Sequence, residues 1–491
     1  MSLLFKGGRL TSVRRDVTRF TSSIQSDKRL LKPVIKINKA HVIIMMEQKI
    51  IDWSSGAQLL QVLNELEKGM RLKPSLEDVH MGVEEEVIKS AGPEVGGNLH
   101  IGKSRNDQVS TAIRMRLRED IINLVSLVIR LQDQLIKLAK RHIKTVIPGY
   151  THLRPAQPVT FAHYLLSYTD MLERDLHRLE EAYQRVDLCP MGAGALATSS
   201  FPINRERVAE LLGFSGVLEN SIDAVGSRDF ILETLACLAI IALDISQFVE
   251  DLIIWSSPEF GIVDLPDSFS STSSVMPQKK NPEVLEVIRA RSGLVLGNFV
   301  SCAAIMKSLP STYNLDFQEV TPQLWESVET VAGSLDMLLK LIIHLKVSKE
   351  IFSKPFLSFS TTTELVNILT RKYKVPFRTA HKIVGALVRH LIENGLSLAD
   401  VTPELLQTIA KDTSDLSLNI KMEDIHAFTD PMEFVKAHNA RGGPSPTEVE
   451  RMIKIRERWK ILSRAWLSEK KSKIGEAEER LESTIKTYSA P

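Results

Sequence analysis

Apolar residues recur at threes and fours along unusually long stretches of this chain. From Ser104 to about Lys144, the residues Val109, Ile113, Leu117, Ile121, Leu124, Val128, Leu131, Leu135 and Leu138 share one helical face, behind a serine suited to the N-cap. The same period predicts helices over Thr160–Val186, Gly226–Trp255, Pro282–Met306 and about Gln323–Leu345. Pro282 sits where a first-turn proline is favourable. These spans run about two to three times the mean globular helix of roughly 12 residues. Helices with such wide apolar faces must bury them in a bundle or against other subunits. The expectation is an all-α chain with a central long-helix bundle over residues 105–353.

The flanks differ. Residues 1–104 read as a mostly helical N-terminal domain of shorter pieces. Residues 354–491 read as a small helical C-terminal domain, punctuated by Pro376, Gly395 and Gly442-Gly443. After Glu448 comes a helix rich in Lys, Arg and Glu, read as a solvated or subunit-facing surface. A chain of 491 residues is long for one core, and three domains suit that length. Gly, Pro and Ser collect between the long helices, at Pro148-Gly149, Gly192 to Pro202, Pro266 to Pro282 and Leu309 to Asp316. Polar loops held by rigid helices are good places for chemistry.

Composition narrows the possibilities. Lys and Arg number 62 against 60 Asp and Glu, for a formal net charge of +2. That balance argues against a broad nucleic-acid surface, which needs a basic excess. The most apolar stretch, Phe230 to Trp255, carries Glu233, Asp244, Glu250 and Asp251, so it predicts a buried helix and not a membrane span. Cys189, Cys237 and Cys302 are far apart, odd in number and without CxxC spacing. They read as free thiols in a reducing compartment. The N-terminal stretch has no apolar targeting core, and a cytoplasmic location is expected. No phosphate-binding glycine motif calls for a nucleotide, so no cofactor is expected.

Three polar clusters each abut a long helix. Ser270 to Pro282 gathers five hydroxyls, Lys279, Lys280 and Asn281 at a helix start, where the positive end of the helix suits a carboxylate or phosphate. By composition it is equally an ordinary polar linker. Leu99 to Gln108 brings Lys103, Arg105 and Asn106 to another helix start, or simply caps it. Tyr150 to Pro158 contains His152, a candidate acid or base because histidines titrate near neutrality. A lone histidine can as readily be structural. Ser227-Arg228-Asp229 and Tyr313 to Glu319 look like helix capping. Glu77-Asp78-Val79-His80 has metal-ligand residue types but no partner at useful spacing, so no metal is expected. Taken together, three cationic loops gathered at one end of a bundle would form a pocket for a polyanionic substrate.

The segment Ser273-Ser274-Val275-Met276-Pro277-Gln278-Lys279-Lys280-Asn281-Pro282 resembles the signature loop of the fumarase/aspartase superfamily. Its ending is similar to the argininosuccinate lyase and δ-crystallin branch. Ser104 to Val109, Tyr150 to Leu153, Phe5 to Arg9, Glu77 to His80, Arg228 to Phe230, Leu309 to Asn314 and Phe377 to His381 match that branch too, in order. The resemblance spans nearly the whole chain. It implies a three-domain all-α subunit, a homotetrameric core built from the central helices, and active sites shared between subunits. The implied reaction is the reversible β-elimination of argininosuccinate to arginine and fumarate, in arginine biosynthesis. By similarity, Ser273 is the catalytic serine, His152 its acid/base counterpart, Glu286 the carboxylate orienting His152, and Lys279 a cation activating the serine. Ser23, Asn106, Thr151, Tyr313 and Gln318 align with substrate-binding positions, with Asp27, Arg105, Arg228 and Asn281 close by.

The chain departs from the branch in three places. Thr272 stands where glycine is usual and Ile101 where threonine is common. Thr321 replaces a lysine that normally helps hold a substrate carboxylate. Arg228 or Lys103 would have to supply the missing charge. A sister fumarate-releasing lyase of the adenylosuccinate type and a non-catalytic, crystallin-like protein are the competing readings.

Overall fold

The computed structural model describes residues 14–348, 351–353 and 355–489. The Phe5 to Arg9 segment lies outside them. The chain is all-α, as its periodicity predicts. Five long helices dominate: Arg105–Arg141, Phe161–Val186, Asp229–Trp255, Glu283–Met306 and Phe317–His344. The first packs on the second and fifth, and the fourth packs between the third and fifth. Among the described residues, strands occur as three two-stranded antiparallel pairs: 146–151 with 154–160, 263–264 with 346–347, and 271–272 with 280–281.

Local chemistry explains the helix ends. Ser104 and Asp107 form a reciprocal capping box on the Arg105–Arg141 helix, each satisfying a backbone N–H of the other's turn. The fifth helix begins six residues before the sequence suggested, and Pro322 lies inside it. A proline there removes one helical hydrogen bond. Phe317, Val320 and Thr321 are nonetheless buried on the preceding turn, and their packing carries the helix through.

Two buried arginines fasten the bundle. Arg114 donates to the carbonyls of Arg185 and Val186 at the end of the Phe161–Val186 helix, and stacks on Phe230. One turn on, Arg118 donates to Asp187 Oδ1 at 2.6 Å and to the carbonyls of Gly213 and Leu212. Helix ends leave carbonyls without helical partners, and these guanidinium groups satisfy them where water does not reach.

The tail helix, Pro446–Ser489, is more than a charged surface. Val449, Met452, Ile453, Leu481 and Ile485 are buried in the same core as the long helices. Sparse apolar residues hidden among Lys, Arg and Glu made this face hard to see. A second, separate core joins Leu365, Leu369, Ile383, Leu387, Leu406 and Phe428. Several apolar side chains on the central helices stay outward, among them Val287, Leu294 and Val300 on Glu283–Met306, with Leu294 58% exposed. No helix among the described residues is long and apolar enough to cross a membrane.

Replacing Arg118 by alanine strands the buried Asp187 carboxylate and frees two helix-end carbonyls. Removing one partner of a buried pair typically costs about 3–5 kcal/mol, and a loss of that size is expected in chemical denaturation.

Candidate active site

One enclosed cavity gathers residues from five separate segments. Ser23, Asp27 and Leu30 come from the N-terminal turns, Asp78 and His80 from the start of the Val79–Ala91 helix, and Arg105 from the start of the Arg105–Arg141 helix. Arg228 precedes the Asp229–Trp255 helix, and Tyr313, Phe317, Gln318 and Thr321 come from the loop and first turn of the fifth. Six residues expected to bind substrate therefore line one cavity: Ser23, Asp27, Arg105, Arg228, Tyr313 and Gln318.

Short-range geometry sets these positions. Asp107, two residues after Arg105, accepts hydrogen bonds from the N–H groups of Ser104, Gly192 and Gly194, which ties the helix start to the 190–198 loop. Burial nonetheless raises its carboxyl to about 6. At Gly226 an added Cβ would meet the backbone of Thr312 at 2.9 Å, so this glycine lets the Arg228 and Tyr313 loops touch. Gln318 Nε2 donates to the Thr21 carbonyl at 3.0 Å and joins the fifth helix to the N-terminal turns.

The charges in the cavity are of both signs. Ser23 donates to Asp27 Oδ2 at 2.6 Å, and Arg105 donates to Asp78 Oδ2 at 2.6 Å. Burial, opposed by the Ser23 hydrogen bond, raises the Asp27 carboxyl to about 6. Burial also raises Asp78, against the pull of Arg105. Across from them Arg228, 2% exposed, lies over the Phe317 ring. Its Nη1 donates to the carbonyls of Val225 and Ser227, whereas Nε and Nη2 have no partner among the described residues. Burial lowers this group to about 10, still charged at neutral pH. His80, lowered to about 3 by burial, is neutral.

The remaining expected residues lie elsewhere in the chain. Thr151 and His152 sit at the exposed tip of the 146–160 hairpin. His152 and Leu153 both have φ near +55°, the left-handed pair required by a tight two-residue hairpin turn. Asn-Gly is the usual occupant, so a histidine held there carries backbone strain of the kind that gathers at functional sites. Ser273 is half-buried on the 271–281 hairpin, where its Oγ accepts the N–H groups of Val275 and Met276. Lys280 anchors this hairpin on Asp264 and Asp267, while Lys279 points outward. Asn281 ends the hairpin, and Glu286 is exposed one turn into the following helix. Asn106 donates to the Ala195 carbonyl at 3.1 Å. None of these seven expected residues, counting Lys279, lines the cavity formed within one chain.

Sequence reading missed Leu30, Asp78, His80 and Phe317 as cavity residues. The Glu77 to His80 segment was legible only as a family match, since the Asp78–Arg105 pair joins residues 27 positions apart. Thr321 lines the cavity, but its hydroxyl donates to the Phe317 carbonyl at 3.2 Å. Lys103 does not line it; its ammonium is buried against Asn38. Among the described residues no His, Cys, Asp and Glu side chains cluster as metal ligands.

Residues 14–297 match the family model described as "Lyase", which gives the class of this helical bundle and its cavity. Residues 359–436 match a second family, "Argininosuccinate lyase C-terminal". The chain is 43% identical over 487 residues to the argininosuccinate lyase of Methanocaldococcus jannaschii, covering 98% of this chain and 99% of that one. The enzyme of that name from Methanosarcina barkeri is 39% identical, over 99% of each chain. Among solved structures, EDDS lyase in complex with formate superposes with a TM-score of 0.88 at 28% identity, covering 94% of this chain and 92% of that one. The class II fumarase of Schistosoma mansoni, at 16% identity, TM-score 0.72 and coverage of 87% and 96%, shares the fold. The chain belongs to the argininosuccinate lyase family.

Asp27 offers a pH test of the cavity. Its folded value of about 6 exceeds the ordinary 3.8, so folding favours the protonated form. The stability this group contributes is intact below about pH 4 and is lost as pH rises through 6, by roughly 3 kcal/mol. Asp27→Asn is therefore expected to leave stability unchanged at pH 4 and raise it at pH 7, as read by urea midpoints.

Proposed function

We propose that this lyase cleaves argininosuccinate to fumarate and arginine, as a step of arginine biosynthesis in the cytoplasm. The observation that carries the reading is the cavity, where carboxylates and arginines stand together in a chain of this family. An amino acid's charged head needs both signs, and Asp27 with Arg228 and Arg105 supplies them. Three buried free cysteines suit a reducing compartment.

The reaction removes a proton from the carbon beside one succinyl carboxylate. The carbon–nitrogen bond then breaks, its electron pair leaving with the guanidino nitrogen, which takes up a proton. Charge gathers on the carboxylate in between. We assign Ser273 as the base, with Lys279 favouring its alkoxide, and Lys279 and Asn281 as donors to the charged carboxylate. Such donors are worth a few kcal/mol each in a site closed to water. His152, oriented by Glu286, protonates the departing nitrogen. Asn106 and Thr151 complete the binding groups with Ser23, Tyr313 and Gln318.

In this reading the chain works as a homotetramer. Ser273, Lys279 and the His152 hairpin tip lie outside their own chain's cavity, and the central helices keep Val287, Leu294 and Val300 exposed. Both features are accounted for if neighbouring subunits bury those helices and lend their loops to each cavity. The units are then 1–104, 105–353 and 354–491, with the middle one at the centre of the assembly.

Purified protein given argininosuccinate is expected to release fumarate, followed by its absorbance. Turnover of adenylosuccinate alone would move the assignment to the sister reaction, and no turnover of either would favour a structural protein. Ser273→Ala is expected to abolish turnover and leave the oligomer intact by light scattering. His152→Asn is expected to cut the rate at least about a hundred-fold, the scale of general acid–base catalysis, and to remove one limb of the pH–rate profile.

A further inference from the structure

Position 321 poses a problem that the cavity itself answers. No lysine stands there, and the Thr321 hydroxyl is already engaged with the Phe317 carbonyl. A substrate carboxylate brought to this wall therefore needs another partner. Arg228 is fully enclosed, and Nη1 is its only guanidinium nitrogen with hydrogen bonds among the described residues. No described acidic side chain forms a salt bridge with it. A buried guanidinium with two unpartnered nitrogens is costly to maintain. In arginine the Nε and Nη2 hydrogens point the same way, side by side, at the spacing of a carboxylate's two oxygens. The Phe317 face beneath the guanidinium, at 4.8 Å, holds its plane in place.

We infer that Arg228 grips the α-carboxylate of the substrate's arginine half through its Nε–Nη2 edge, and so replaces the lysine absent at position 321. This rests on the argininosuccinate reading above. The arginine half fits this cavity better than the succinyl half. A zwitterionic head can place its ammonium near Asp27 and its carboxylate on Arg228, whereas the doubly anionic succinyl half would bring two carboxylates to a cavity that already holds Asp27 and Asp78, with Arg105 paired to Asp78 and the Arg228 edge able to answer one of them. The succinyl half then falls to the loop carrying Ser273, Lys279 and Asn281. Arg228 is thus the residue by which this chain distinguishes an amino acid from a simple guanidino amine.

The test compares arginine with agmatine, which is arginine without its carboxylate, by calorimetric titration of the intact oligomer. Wild-type protein should bind arginine about ten- to a hundred-fold more tightly than agmatine, the range of a charged hydrogen-bonded pair. Arg228→Gln should abolish that preference by weakening arginine alone, and adding Thr321→Lys to it should restore much of the loss. Should Arg228→Gln not fold, Arg228→Lys carries the test, since it keeps the charge and apolar stem but loses the paired edge; its preference should fall several-fold. A variant that weakens arginine and agmatine equally would show that Arg228 only supports its loop, and would overturn the inference. Fumarate release from argininosuccinate by wild-type protein is measured alongside. Turnover with no preference for arginine sinks the Arg228 assignment and leaves the reaction standing, whereas no turnover and no arginine binding sinks both.

Discussion

The buried carboxylate of Asp107 is the constraint on which the site depends. It closes the capping box with Ser104 and at the same time accepts the N–H groups of Gly192 and Gly194. One side chain thereby starts the Arg105–Arg141 helix and pins a distant loop to it. Arg105, two residues away, can then reach Asp78, and the carbonyls of Leu76 and Glu77 just before it accept from Ser22 and Ser23 and hold the N-terminal turns carrying Ser23 and Asp27. Ionising a carboxylate out of water is unfavourable, which is why Asp107 is held by three backbone donors at once. The cost of that burial favours this geometry, because losing any of the three donors would leave the buried group less satisfied.

Much of the fold was legible in the residues. Four of the five long helices begin within three residues of their expected starts, because each combines a sustained apolar period with a Ser, Thr, Pro or Arg-Asp opening. The fifth was misread at its start, since Pro322 is a breaker in isolation and only tertiary packing overrides it. The tail helix was read by its charge, and its sparse buried stripe became evident only against the partners it covers. Local pattern records what a segment prefers, and the partners decide the rest.

The site was legible to a different degree. Family likeness pointed to Ser23, Asp27, Arg105, Arg228, Tyr313 and Gln318, which do meet in one cavity. Periodicity could not have joined them, for they span almost 300 positions and meet through single contacts such as Gln318 with the Thr21 carbonyl. Asp78 and His80, read in the sequence only as unpartnered metal-ligand types and a family match, were not placed in the cavity for the same reason: a cavity wall made from a helix start has no spacing rule. The electrostatic character of the cavity, with raised carboxyls facing a half-satisfied guanidinium, is a product of burial and has no signature in composition.

The tail helix has a consequence for how the chain is made. Lys36 pairs with Glu478, and Trp53 stacks on Tyr488 with ring centres 4.9 Å apart. Residues around positions 36 and 53 thus share their final packing with residues synthesised more than 400 positions later. The core around the long helices stays open on one side throughout most of translation, while the smaller 365–428 core can close earlier. Contacts so distant in sequence form slowly and leave apolar surface uncovered meanwhile. The nascent protein is therefore most exposed to aggregation, and most in need of chaperones, in the interval before Pro446–Ser489 emerges.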